Sequence, residues 1–530
     1  MTIIILYTLA VVLGIANFRI TLCRYLMMFQ QNSYRPSRFR RWASENGDST
    51  NFPRLIGMLV VLSFPLLPAR IAVIAAALFS LINYIRLARK KYKKPLAYTR
   101  RVWRIFATSF LLVVMACIIG CVITDSAFAD SLWLCTFLLM CCFYLASQIM
   151  IAANWLLKPV EKSITRKYLD EARRMLASMP DLKIIGVTGS YGKTTTKHYL
   201  QRILSERYET LMTPGSYNTP MGVVRTIREM LKPYHEVFVV EMGAKQKGDI
   251  AEICDIVNPR SGIITAVGPQ HLESFGNIET VQSTKFELAD AVPADGFVLV
   301  NNDFEKIADR KVQNTRCLRY AVKNTVDADY VAENITYSPS GTEFTLRRMS
   351  DGHTLRLSTR LLGECNVSNL LAAAAMAMEM GVSDNSIRFA VSQIEPVEHR
   401  LSIKRVPGGL TILDDAFNSN PVGSAMALDV LASMKPGKRI LVTPGMIELG
   451  DRQFELNKTF GKKAATSCDI AVVVGRYNRD AITEGLAEGG MKAEKIYTPD
   501  TFAEAQQILG KTATPGDFVL YENDLPDTFK

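Results

Sequence analysis

Residues Ile184-Ile-Gly-Val-Thr-Gly-Ser-Tyr-Gly-Lys-Thr-Thr-Thr196 decide how this 530-residue chain is read. An apolar β-branched run meets a glycine-rich turn, and a helical pattern, Lys197–Tyr208, follows it. That order of elements makes a phosphate cradle: Gly189 and Gly192 let backbone N–H groups converge on phosphate oxygens, Lys193 adds a point charge, and the Thr194 hydroxyl is placed to bind Mg²⁺ at a helix N-terminus. Ser190, Tyr191 and Thr195 complete the loop that would hold nucleotide. The spacing departs from the common G-x-x-x-x-G-K-[ST] pattern, because five residues separate Gly186 from Gly192.

Outward from the loop, the charge is uneven. Residues 1–167 hold 21 Lys/Arg and 5 Asp/Glu, so the basic balance of the whole chain, +11, belongs to this part alone. Its cations flank apolar runs, as membrane-topology signals do, and do not form the patch of a nucleic-acid-binding domain. Thr2–Asn17 is apolar and precedes a loop with Arg19, Arg24, Arg35, Arg38, Arg40, Arg41 and Arg54. Leu55–Ile85 is broken at Pro65-Leu-Leu-Pro-Ala-Arg70, and Arg86–Arg104 carries nine Lys/Arg and no acid. Ile105–Thr124 and Leu132–Leu157 follow, joined by a short acidic link. With both basic loops on the cytoplasmic side, Leu55–Ile85 must leave and return, which predicts about five spans and a cytoplasmic location for everything after Lys158. The expected divisions are a transmembrane region over 1–160, a linker helix over 161–182, a central ATP-binding domain over 183–400 and a second domain over 401–530. The ten cysteines include no C-x-x-C, and a reducing compartment without disulfides or zinc is expected.

The part after the loop alternates strand and helix patterns, which predicts an α/β fold with mainly parallel sheet. Strands are expected at Val237–Glu241, Gly262–Ala266 and Gly296–Asn301, then an antiparallel excursion over Tyr330–Leu357. A Rossmann-like set follows at Leu410–Asp414, Arg439–Thr443, Ile470–Val474 and Asp517–Tyr521. Glu241 closes its strand at the sheet edge where ligands of such folds bind, a place for a second metal ligand. His271 follows another strand end, and Lys285-x-Glu287 lies on the next helix, where a buried lysine would have to be neutralised, paired or modified.

Taken in order, the glycine loop, Ser216-Tyr-Asn-Thr-Pro-Met-Gly222, Glu241-Met-Gly, His271-Leu-Glu-x-Phe-Gly276, Lys285-x-Glu287, Asn301-Asn-Asp303, Gly363-x-x-Asn366 and Asp414-Asp-x-x-Asn418-x-Asn-Pro421 resemble the Mur ligase family over about residues 180–500. Within it they look most like the branch that adds D-Ala-D-Ala to a UDP-linked muramyl tripeptide. The resemblance implies an ATP-dependent carboxylate–amine ligase working through an acyl phosphate. By that resemblance Lys193 and the loop amides hold phosphates, and Thr194 and Glu241 bind Mg²⁺. His271 and a carbamylated Lys285 serve a second Mg²⁺. Asn218 lies by the acceptor, Asn302 near the adenine, Arg400 at the phosphates and Asp414 at the ribose, with Asn366 also on the nucleotide side. It further implies a cell-wall precursor, UDP- or lipid-linked, as acceptor and an amino acid or dipeptide as amine. Three departures stand out: the family's UDP-binding N-terminal domain gives way to the apolar block, Cys365 stands where the family has His, and the ending Val519-Leu-Tyr-Glu-Asn-Asp524 lacks a Lys-Gly-Ser-Arg pattern. A poly-γ-glutamate synthetase and a non-catalytic nucleotide-binding scaffold are the competing readings. A transporter is disfavoured, since the spans carry almost no charge beyond Arg70.

Overall fold

The structure, a computed structural model, describes residues 2–45, 51–90, 92, 94–124, 128–338, 341–397, 400–406, 408–416 and 419–524. Asn418 of the asparagine motif lies outside them. The chain divides into two compact units, one up to Lys167 and one from Tyr168 on.

The first unit is helical: α1 (Thr2–Gln31), α2 (Pro36–Glu45), α3 (Phe52–Ser63), α4 (Ala69–Ala88), α5 (Arg100–Thr124), α6 (Phe128–Tyr144), α7 (Ala146–Leu156) and the start of α8 (Lys158–Ala177). Helix α1 runs well past Asn17, whose amide is buried and whose Oδ1 accepts from Asn83 Nδ2 of α4 at 2.6 Å. Such a bond between apolar helices satisfies groups that neither lipid nor core could. Among the described residues, α1, α4 and α5 are long and apolar enough to cross a membrane, and α6 with α7 would make a fourth if their bent pair is one span. Against the expected count of about five, the described helices thus supply three or four candidates by length and composition. Leu55–Ile85 does separate into two helices around Pro65 and Pro68, but α3 has only 12 residues, too few for a span of about 20. Leu132–Leu157 is not one helix either: it bends by 79° at Leu145. The carbonyl freed at the break, Tyr144 O, accepts from Arg54 Nη2 of α3 at 2.9 Å.

The second unit begins within α8, whose Ala172 is fully buried and whose Tyr168, Leu169, Met175 and Leu176 pack on the core of that unit. The expected linker helix is thus half built into the α/β core. Next come β1 (Lys183–Thr188), α9 (Lys193–Leu204), β2 (Thr210–Met212), α10 (Pro220–Met230), β3 (Val237–Glu241), α11 (Asp249–Val257), β4 (Ser261–Ile264), α12 (Leu272–Phe275), α13 (Ile278–Ala291), β5 (Phe297–Asn301) and α14 (Glu305–Ala308). Then follow β6 (Arg316–Ala321), β7 (Tyr330–Ser338), β8 (Gly341–Arg348), β9 (Thr354–Thr359), α15 (Glu364–Glu379) and α16 (Asp384–Gln393). These strands form one sheet in the order β2-β3-β1-β4-β5-β6-β7-β8-β9. It is parallel from β2 to β7 and antiparallel from β7 to β9, as the alternating pattern over Tyr330–Leu357 predicts. One face packs α9 and the alanine-rich α15; the other packs α10, α11 and α13.

A second sheet contains β10 (Ser402–Arg405), β11 (Thr411–Asp415), β12 (Arg439–Thr443), β13 (Ile470–Val473), β14 (Ile496–Tyr497) and β15 (Phe518–Glu522), ordered β10-β11-β15-β12-β13-β14. Only the pairing of β10 with β11 is antiparallel. Helices α17 (Pro421–Ser433), α18 (Gln453–Ser467), α19 (Arg479–Glu488) and α20 (Phe502–Thr512) cover it. In both sheets the fully buried strands read as continuous apolar runs, which parallel sheet requires.

Candidate functional site

Strand β1 lies between β3 and β4, so the loop after it opens inside the sheet's C-terminal edge, with a parallel strand on either side. Gly189 has φ 151°, and a Cβ there would strike Thr265 Oγ1 and come within 2.8 Å of Ala266 N. Gly192 has φ 78° and faces Asn369 Oδ1, which a Cβ would approach at 2.5 Å. Both positions demand glycine on conformation and on space. The loop is laced to the segment after β4: Ser190 N donates to Ala266 O at 2.7 Å, Ser190 Oγ to Gly268 O at 3.1 Å, and Tyr191 Oη to Pro269 O at 3.2 Å. Thr195 is buried at the start of α9.

Lys193 folds back over this loop, its Nζ donating to Gly189 O at 2.6 Å and Ser190 O at 3.1 Å. Burial lowers its pKa to about 8, against the pull of the Glu241 carboxylate and with the push of Arg400. It remains mainly cationic at neutral pH and is ready to leave two carbonyls for a stronger anionic partner.

Glu241, at the end of β3, is almost fully buried and collects three partners: Lys197 Nζ at 3.0 Å, Asn218 Nδ2 at 2.9 Å and Thr194 Oγ1 at 3.1 Å. Burial works to raise its pKa, yet Lys197 and Lys193 win and hold it below the usual carboxylate value. Lys197 is completely buried and also donates to Gly215 O at 2.6 Å. Sequence reasoning missed it. A lysine one turn after Lys193 looks like a solvated helix position, and only its place opposite the carboxylate at the end of β3 marks it as the counter-ion. Asn369 was missed too; besides facing Gly192 it accepts from Thr196 Oγ1 at 3.1 Å.

His271 has a left-handed backbone, φ 54°, and its Nδ1 pairs with Glu448 Oε2, a residue that is itself left-handed at φ 62°. Lys245 Nζ stands 3.6 Å from Glu448 Oε1. Burial lowers the His271 pKa, with Glu448 opposing, and Lys245 and Lys193 add to the drop, so the ring is neutral at physiological pH. Lys285 on α13 is buried against the Phe275 ring. Burial, then the charge of Lys193, drives its pKa well below the ordinary lysine value, with Glu287 and Asp249 opposing. Burial of this kind favours the uncharged amine over the ammonium. Glu287 caps α11, accepting from Gly248 N at 2.7 Å and Ala251 N at 3.0 Å.

The field of Lys193 therefore reaches Glu241, His271 and Lys285, and Arg400 acts on Lys193 in turn. These are the residues the sequence singles out, and the fold brings them to one region. A cavity of about 660 Å³ adjoins it, lined by Thr194, His198, Arg202, Gly215, Pro396 and Arg400 among others. Asn302 and Asn366 are held in the framework: Asn302 Nδ2 donates to Asn324 O and Val326 O at 2.8 Å, and Asn366 Oδ1 accepts from Tyr199 Oη at 2.8 Å. Asp414 pairs with Lys404 Nζ at 3.2 Å. Burial pushes the Cys365 thiol up to about 12, so it acts as a neutral apolar group where histidine was expected.

Comparison with known proteins matches residues 187–377 to the Mur ligase middle domain and residues 399–521 to the Mur ligase glutamate ligase domain. The UDP-N-acetylmuramoyl-tripeptide–D-alanyl-D-alanine ligase of Escherichia coli is 31% identical over 333 residues, covering 62% of this chain and 73% of that protein. The chain belongs to the Mur ligase family. The ligase of the same name from Bacillus subtilis is 27% identical over 344 residues, or 64% of this chain and 72% of its own length. Among solved Mur ligases, MurF from Acinetobacter baumannii superposes with a TM-score of 0.62 at 27% identity, covering 69% of this chain and 78% of that one. MurF from Thermotoga maritima in complex with ADP gives 0.59 at 26% identity, covering 68% and 80%. In this Mur ligase the helical N-terminal region stands where the usual UDP-binding domain would be.

Proposed function

We propose that this Mur ligase is a MurF-like enzyme that joins a carboxyl group of a cell-wall precursor to an amine, with ATP cleaved to ADP and phosphate. The observation that carries the reading is the loop from Thr188 to Thr194, with Lys193 acting on Glu241, His271 and Lys285. A carboxylate is a poor electrophile. Transfer of the γ-phosphoryl group makes an acyl phosphate, the amine attacks its carbonyl carbon, and phosphate leaves with the C–O bond. The loop amides and Lys193 would bind the β- and γ-phosphates, Lys193 exchanging its two carbonyl partners for phosphate oxygens. Asn218, already bonded to Glu241, would orient the acceptor beside them. Arg400 would add a second positive charge from the junction with the last sheet, and Asp414 would reach the ribose.

The donors fit Mg²⁺: the Thr194 hydroxyl and the Glu241 carboxylate are hard oxygen ligands already 3.1 Å apart. When bound, the cation neutralises charge on the phosphates and on the moving phosphoryl group. Lys285 fits carbamylation, because burial and the charge of Lys193 disfavour its ammonium form; CO₂ would convert it to a carboxylate serving a second cation with His271. Lys197 keeps Glu241 ionised, and the Glu448 contact keeps the His271 ring oriented.

The cationic loops on one side of the apolar helices, with ATP in the cytosol, favour a multi-pass protein of the bacterial membrane whose α/β unit is cytoplasmic. An acceptor carried by a lipid in the same membrane would meet the enzyme at raised effective concentration. Incubating the purified protein with ATP, D-Ala-D-Ala and either UDP-MurNAc-tripeptide or its lipid-linked form, then reading products by mass spectrometry, tests the proposal. A new amide is expected with one acceptor. Phosphate release with no amide would overturn the reading in favour of a scaffold or ATPase, and glutamate polymer in a parallel arm would favour a poly-γ-glutamate synthetase.

A further inference from the structure

Thr194, His198 and Arg202 recur at four-residue intervals on α9, so they share one face of the helix, and all three line the cavity of about 660 Å³ beside the phosphate loop. At 1.5 Å of rise per residue, the Cα atom of Arg202 lies about 12 Å along the axis from that of Thr194, and helical side chains slope back toward the helix start. The cavity is therefore a trough that starts at the hydroxyl bonded to Glu241 and runs out along α9. Gly189, Lys193 and Asn302, assigned to the nucleotide, do not line it, whereas Gly215 does and stands next to the Ser216–Gly222 segment that carries Asn218. The trough thus falls on the acceptor side of the loop.

Two of its side chains have hydrogen-bonding capacity to spare. The His198 ring makes no hydrogen bond among the described residues. Burial, then the charge of Lys197, lowers its pKa to about 4 with Glu241 opposing, so the ring is neutral at physiological pH and has one N–H and one lone pair to offer. Arg202 donates from Nη1 to Glu206 Oε1, and its guanidinium lies 5.8 Å from the centroid of the Phe389 ring. That brace leaves Nε and Nη2 without a partner among the described residues. Arg202 and Arg400 are set against a single lining carboxylate, Glu395, which is exposed. The trough suits an anion.

We propose that this trough holds the peptide of the acceptor, with Arg202 binding a second carboxylate, one that is not activated. The inference rests on the ligase reading and names the class of acceptor: a peptide whose reacting carboxyl lies at the Thr194 end and which carries another free carboxylate about two residues' length back. Two extended residues span about 7 Å, which is what an arginine reaching back over roughly 12 Å of helix leaves uncovered. His198, between the two ends, meets a peptide group, and Gln201 adds an amide there. In a muramyl tripeptide with a γ-linked glutamate before the reacting residue, the free α-carboxylate of that glutamate meets this description. The Nε and Nη2 edge of a guanidinium grips a carboxylate by two parallel N–H bonds, whereas a carboxamide in the same place offers one acceptor oxygen and turns N–H groups toward the cation.

The test uses the full-length protein with ATP, D-Ala-D-Ala and the muramyl tripeptide in whichever linked form reacts. Two acceptors are compared that differ only in the glutamyl α-group, carboxylate in one and carboxamide in the other. The expected kcat/KM ratio is about tenfold in favour of the carboxylate, the usual worth of a charge-assisted pair of hydrogen bonds. Arg202→Gln should bring that ratio close to one, a change that a merely structural role would not produce, and Arg202→Lys should lower it part-way and serves if the first variant fails to fold. A wild-type ratio of one or less, or a ratio that neither variant moves, overturns the subsite. If neither acceptor yields an amide, the ligase reading fails, and calorimetric binding of the same two acceptors decides the subsite separately. Tighter binding of the carboxylate form that Arg202→Gln abolishes supports it; equal binding of the two forms, or none, overturns it.

Discussion

Replacing Lys197 by methionine removes a charge that the α/β unit has fully buried while keeping most of the side chain's volume. Glu241 would lose its 3.0 Å ion pair but keep Asn218 Nδ2, Thr194 Oγ1 and the field of Lys193. Breaking a buried pair from one side costs about 3–5 kcal/mol, and the remaining donors put this case at the low end. The Gly215 carbonyl loses its donor as well, worth about 1 kcal/mol, so the expected total is about 3–4 kcal/mol. Glu241 is held low in the wild type, so its contribution to stability is present above its unfolded pKa and lost as pH falls through the lower folded value. Without Lys197, burial acts with less opposition, and that loss should begin at higher pH. Urea unfolding of the detergent-solubilised protein followed by circular dichroism reads the change. All four tryptophans precede Tyr168, so fluorescence reports the helical unit and should not shift. Adding Glu241→Gln should recover about half of the loss, because two uncharged partners leave no buried ion. An unchanged midpoint for Lys197→Met, or a double variant no more stable than the single one, would refute the account of Glu241.

Lys193→Ala should abolish ATP-dependent ligation while the protein still folds cooperatively, at a stability cost of about 1–2 kcal/mol for the two carbonyls that lose their donor; retained turnover would dismiss the loop as the nucleotide site. Protein prepared in CO₂-free buffer should lose activity and regain it with bicarbonate, and ¹³C-bicarbonate should give a carbamate resonance that Lys285→Ala lacks; activity indifferent to CO₂ would argue against modification. Glu448→Gln should raise KM for ATP about three- to tenfold, since it removes the group that orients His271 and faces Lys245, and it should lower the His271 pKa further, readable by NMR.

The glycine loop and the strands feeding it were legible because β-branched runs ending in Gly-x-x-Gly-Lys have few other uses. Val237–Glu241 and Arg439–Thr443 coincide with their expected ranges, and the other expected strands lie within one or two residues of theirs. The strands that escaped notice, β2, β6, β10 and β14, include pieces of two to four residues whose patterns are too short to read. Membrane helices were less legible for a different reason. The break at Leu145 has no proline or glycine; it is held by Arg54, 90 residues away. Lys197 and Glu448 belong to the same class: a residue whose role is set by a distant partner leaves no local trace.

The interior position of β1 has a consequence for biogenesis. Its loop is walled by β3 and by the segment after β4, so the cradle cannot close until about a hundred residues beyond the last apolar helix have been synthesised, roughly 5–20 s at ordinary elongation rates. The nascent chain thus presents its apolar helices for insertion well before it can capture a nucleotide, and Glu448 emerges later still. Nucleotide capture by stalled ribosome–nascent chain complexes would therefore act as a clock, switching on only after the greasy helices have left the exit tunnel.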